Sequence, residues 1–108
     1  MEKSKLFLST IAADAPATAR KYGVKLEIAE YCTAWNMDRE FAQTDSAVRE
    51  KLAGMEKKLL HGPFNELFPC AIDPMVLDIA RIRYRQAIAL AESYGIKRII
   101  IHGGYNPR

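Results

Sequence analysis

Asp73 and Gly95 bracket the stretch that most constrains this chain. Asp73 is a good N-cap, Pro74 takes the first helical position with its φ already set, and Gly95 follows where a helix ends in the left-handed region. Between them Val76, Ala80, Ala87, Leu90, Ala91 and Tyr94 recur at helical spacing, a stripe whose small residues suit close packing on a sheet. Directly after comes Ile99-Ile100-Ile101, apolar on both faces of a strand. Such runs belong to parallel strands covered on both sides, and a parallel strand needs a crossover helix before it.

The same alternation extends back to the start of the chain. Residues 5–11 read as a first strand. A helix follows from an Asp14 cap, with Pro16 in its first turn, and stops at Gly23. Residues 24–31 form a second strand, and 32–43 an irregular loop with a helical turn. Thr44 or Asp45 then caps a short helix with Val48 and Leu52 on its apolar side, ending at Gly54. Residues 57–61 are a third strand, leading into Gly62-Pro63-Phe64-Asn65-Glu66-Leu67-Phe68-Pro69, and residues 97–102 a fourth. The predicted fold is α/β: a βαβαβαβ unit over residues 1–108, parallel strand order 1-2-3-4, with right-handed crossovers. Strands one and four then have open edges, which predicts a cover, either further chain completing a barrel or a second copy forming a homodimer.

Composition narrows the function classes. With 49% hydrophobic and 27% charged residues, the chain has the make-up of a soluble globular domain. No run approaches the roughly 20 apolar residues of a membrane span, and Leu6-Phe7-Leu8 is too short for a signal-peptide core, so a cytoplasmic location is expected. Cys32 and Cys70 share no metal-knuckle or redox spacing and are expected to be reduced, partly buried thiols. The net charge of +3 comes mainly from Arg81, Arg83 and Arg85, which spacing of two spreads around a helix. That dispersion argues against a nucleic-acid face. There is no GxGxxG after the first strand, no P-loop and no GxSxG elbow.

The chain has two histidines, and both end strands. His61 closes the third and His102 the fourth, each followed by glycine. Ligands of parallel α/β proteins bind at the carboxyl ends of strands. Neighbouring strands lie about 4.8 Å apart, so two such side chains can meet one ligand. Either histidine alone is ordinary capping or loop packing; their coincidence points to a site. Glu27 and Glu30 alternate to opposite faces of the second strand, and one of them must face the interior of a barrel, where a carboxylate needs a partner. Trp35 and Phe64 are candidate walls, and Asn65, Tyr105 and Asn106 candidate hydrogen-bonding groups for a polyol.

The stretches His61-Gly-Pro-Phe-Asn and His102-Gly-Gly-Tyr-Asn-Pro, with Gly23-Val24 and Glu27 ahead of them, resemble the N-terminal half of the xylose-isomerase-like TIM-barrel superfamily. That superfamily holds sugar and sugar-phosphate isomerases and epimerases together with endonuclease IV. The resemblance selects Glu27 over Glu30. It implies a partial TIM barrel, a divalent metal (zinc, manganese or magnesium) in the intact protein, and a sugar or sugar phosphate as substrate. Glu27, Trp35, His61, Phe64, Asn65, His102 and Tyr105 are then expected substrate contacts. In the endonuclease IV branch His61 and His102 match metal ligands, with abasic DNA as substrate. His102-Gly-Gly lacks the proline of that branch's motif, and two histidines fall short of the three or four ligands zinc takes. The expected activity is therefore a metal-dependent isomerase or epimerase in the intact protein, with a nuclease-like phosphodiesterase or a non-catalytic scaffold as alternatives.

Overall fold

The computed structural model describes residues 5–55 and 58–103. Its elements alternate as β1 (Phe7–Ser9), α1 (Ala15–Tyr22), β2 (Lys25–Ile28), α2 (Phe41–Leu52), β3 (Lys58–His61), α3 (Pro74–Ser93) and β4 (Ile99–Ile100). Single 3-10 turns at Glu30–Cys32 and Ala34–Asn36 link β2 to α2. All strand pairs are parallel, and the sheet order is β1-β2-β3-β4.

That unbroken order has a consequence. Right-handed crossovers repeated in one direction put every helix on the same face of the sheet. Burial agrees. Leu26, Ile28 and Leu60 share one face, are fully buried, and pack with Ala15, Ala19, Val48, Leu52, Ala87, Leu90 and Ala91 of the helices. Phe7, Ser9, Lys25, Glu27, Leu59 and His61 share the other face and are only half-buried. The described residues thus form a single helix layer on a sheet whose second face is open.

Local chemistry explains most boundaries. Asp73 caps α3 as its sequence predicts, its Oδ1 accepting the Met75 N–H at 2.9 Å. Gly95 (φ 70°) and Gly23 (φ 66°) end α3 and α1 in the left-handed region that other residues resist. Asp14 sits where its sequence places a cap, but it makes no side-chain cap bond and is itself left-handed, at φ 53°. α2 begins at Phe41, ahead of the predicted caps Thr44 and Asp45. Asp45 lies inside the helix because Tyr94 and Arg49 claim its carboxylate.

The strands are shorter than their apolar runs. After Ser9 the chain turns, with Ala12 N–H bonded to Ser9 O at 3.1 Å; the Thr10 N–H still reaches Glu27 O at 2.9 Å, and the ladder ends there. Tyr31 likewise lies in a turn and points into the core. The run Ile99-Ile100-Ile101 is not covered on both sides: Ile100 and Ile101 are 38% and 47% exposed on the open face and edge.

Two polar networks tie the layers. Glu30 accepts bonds from the Thr10 hydroxyl and from Lys51 Nζ (2.9 Å), while Lys51 also reaches Thr10 O at 3.1 Å. These link the end of β1, the turn after β2, and α2. In the second, the Tyr31 hydroxyl meets the Tyr94 hydroxyl at 2.5 Å and Tyr94 donates to Asp45 at 2.6 Å. Arg49 closes that network, bonding Asp45 and lying 4.9 Å from the Tyr94 ring centre. Among the described residues no helix is long and apolar enough to cross a membrane.

Candidate functional site

The carboxyl edge of β3 and β4 brings the two histidines together. His61 ends β3 and pairs in register with Ile100, so His102, two residues further, shares its side of the sheet. The Nε2 atoms of His61 and His102 stand 2.9 Å apart, with ring centres 4.8 Å apart. Phe64 leans on both, its ring centre 5.3 Å from that of His61 and 4.7 Å from that of His102. Gly62 allows this closeness. A Cβ there would meet Ile100 O at 3.0 Å, and its own N–H donates to that oxygen at 2.7 Å.

The hydrogen bonds fix the tautomers. His61 Nδ1 lies 3.0 Å from Gly62 O, which can only accept, so Nδ1 carries the proton. His61 Nε2 is then a lone-pair acceptor, and the His102 Nε2–H donates to it. Cys32 Sγ lies 3.3 Å from the same Nδ1, a link that no sequence motif signals. It arises because the turn after β2 lies beside the end of β3; the backbone N–H groups of Phe64 and Asn65 both donate to Cys32 O, at 3.1 and 3.3 Å. Burial, and then the charges of Glu27 and Glu30, push the Cys32 thiol up to about 11, so it stays protonated at neutral pH. It is a free, half-buried thiol as expected, whereas Cys70 is exposed, its thiol 3.2 Å from Gly103 O.

The other sequence candidates fall at different distances from this cluster. Glu27 lies on the open face beside Ser9 and Leu59, and its carboxylate has no hydrogen-bond or ion-pair partner among the described residues. Glu30 is off the strand and bound in the Thr10–Lys51 network. Trp35 is half exposed, packs against Arg39 at 4.9 Å, and makes no ring contact with the histidines. Asn65 is exposed, held by its backbone rather than its amide. Tyr105 and Asn106 lie outside the described residues.

The metal implied by the family resemblance can be tested on these donors. Two nitrogens bound at about 2.0–2.1 Å to one ion can stand as close as the two Nε2 atoms do. Cys32, however, faces the opposite edge of the His61 ring, and no group of three or more His, Cys, Asp or Glu among the described residues could hold an ion. The described donors are two, fewer than the three or four that zinc takes. No family model, curated protein or solved structure matches the chain.

Proposed function

We propose that the chain is the first four strands of a xylose-isomerase-like barrel and that its strand-end histidines belong to a sugar or sugar-phosphate isomerase or epimerase site. The one-sided sheet supports the barrel reading, because its open face corresponds to a lumen and its single helix layer to the outer ring. The observation that carries the functional reading is the His61–His102 contact under Phe64. A bound polyol would displace that contact and inherit its two halves. His61 Nε2, held as an acceptor by the Gly62 carbonyl, takes a proton from the hydroxyl-bearing carbon beside a carbonyl and returns it to the former carbonyl carbon. The hydroxyl proton passes to the carbonyl oxygen, and the first carbon becomes the new carbonyl. The His102 N–H polarises the carbonyl oxygen, and Phe64 offers a flat apolar surface to the sugar's C–H face.

The test is an NMR titration of the chain with aldose and ketose phosphates and with free xylose. Shifts should centre on His61, Phe64 and His102, and His61→Ala should weaken binding by about tenfold or more. Shifts elsewhere, or none, contradict the reading. The convergent Nε2 pair favours a second reading, the zinc-dependent phosphodiesterase. Equimolar zinc retained through dialysis and lost in His102→Ala would select it. Neither ligand binding leaves a non-catalytic scaffold.

A further inference from the structure

Helix α3 carries a second apolar sector that the fold leaves in water. Met75 is 78% exposed, Ile79 53% and Ile82 59%, although all three lie on a helix whose other side is buried in the core. With Gln86 and Ala89 they follow one another at alternating steps of four and three residues, the spacing of a helix–helix seam. Asp78 and Arg85 border the seam on its charged side. At its far end, beside Gln86 and Ala89, opens a largely apolar cleft of about 310 Å³ lined by Met37, Phe41, Gln86, Ala89, Leu90 and Ser93.

We infer that α3 pairs antiparallel with α3 of a second copy, about a two-fold axis crossing the seam between Ile79 and Ile82. Three features select this partner and register together. With Ile79 facing Ile82 of the second copy, two-fold symmetry places Ile82 against that copy's Ile79. The same register brings Met75 opposite the second copy's Gln86, where its flexible side chain enters the Met37–Phe41 cleft. It also sets Asp78 opposite the second copy's Arg85, and Arg85 opposite that copy's Asp78. The isoleucines, Met75 with its cleft, and the Asp78–Arg85 pair are thus each matched by an element of the same surface, as an isologous interface requires. A parallel pair would put Met75 against Met75 and leave both clefts unfilled. The pairing uses neither the sheet's open face nor the histidines, and it holds whatever ligand they bind.

Sedimentation equilibrium on the 108-residue chain tests it. The expected species is a dimer of twice the 12.2 kDa chain mass. Ile82→Glu should give a monomer with an unchanged far-ultraviolet circular dichroism spectrum, because that side chain is mostly exposed and outside the core cluster. Asp78→Arg and Arg85→Asp should each weaken the dimer, and the double swap should restore it. A monomeric wild-type chain, a dimer that survives Ile82→Glu, or a double swap no tighter than the single changes overturns the inference.

Discussion

Leu60→Ala should lower the free energy of unfolding by about 2–5 kcal/mol, a large part of the roughly 5–15 kcal/mol that holds a domain folded. Leu60 is fully buried at the middle of the sheet, in register with Ile28 on one side and Ile99 on the other. It belongs to the cluster joining the sheet to the helices. With one helix layer among the described residues, no second core stands behind the sheet to absorb a cavity. Ile100→Ala, on the open face and 38% exposed, should cost less, about 1.5 kcal/mol. Urea titrations of the two variants give the comparison. Equal losses would mean that the open face is as well packed as the helical one, and the one-sided core would be wrong.

The tyrosine network predicts an effect with a pH signature. Tyr94→Phe removes the acceptor of the buried Tyr31 hydroxyl and the donor to Asp45, and should cost about 1–3 kcal/mol near neutral pH. Burial, then the bond to Asp45, raises the Tyr94 phenol above its ordinary range, and burial also raises Tyr31, so both stay protonated there. Asp45 is shifted the other way, lowered chiefly by the Tyr94 bond and then by Arg49. A carboxylate lowered in the folded state stabilises the protein above its unfolded value, about 3.9. That stabilisation is lost as pH falls toward the folded value. The wild-type thermal midpoint should therefore drop as the medium is acidified through and below that range. Tyr94→Phe should start lower and fall less steeply. Parallel acid limbs in the two proteins would show that Asp45 owes nothing to Tyr94.

Much of this fold was legible in the sequence because its signals are local. The Asp73 cap, the closing glycines and the alanine stripe of α3 each act within a turn or two, and each lies where the sequence puts it. Strand order followed from alternation and handedness. What local signals missed were the competitions settled at a distance. Asp45 reads as a cap until Tyr94, 49 residues away, claims it. Ile100 reads as buried on both sides, but none of the described residues forms a layer over the open face. Tyr31 reads as the end of a strand, yet the partner waiting for its hydroxyl draws it into the core.

Of the candidate site, the placement of the two histidines was legible: their neighbouring strand ends bring the rings together. Phe64 joins them because its loop hangs from Cys32 O, whereas Trp35, one turn away, packs on Arg39. Cys32 beside His61 could have been found by asking which residues follow the neighbouring strand's end, but its isolation from other cysteines gave no motif to prompt the question.

The ring nitrogens of His61 and His102 test most directly whether these strand ends build one polarised pair. Long-range ¹H–¹⁵N spectra with both imidazoles neutral distinguish the tautomers. His61 should show the Nδ1–H form, held by Gly62 O, and His102 the Nε2–H form. Gly62→Val, which drives side-chain atoms against Ile100 O, should abolish the His61 preference. Both histidines in the ordinary Nε2–H form, unaffected by that change, would contradict the polarised pair.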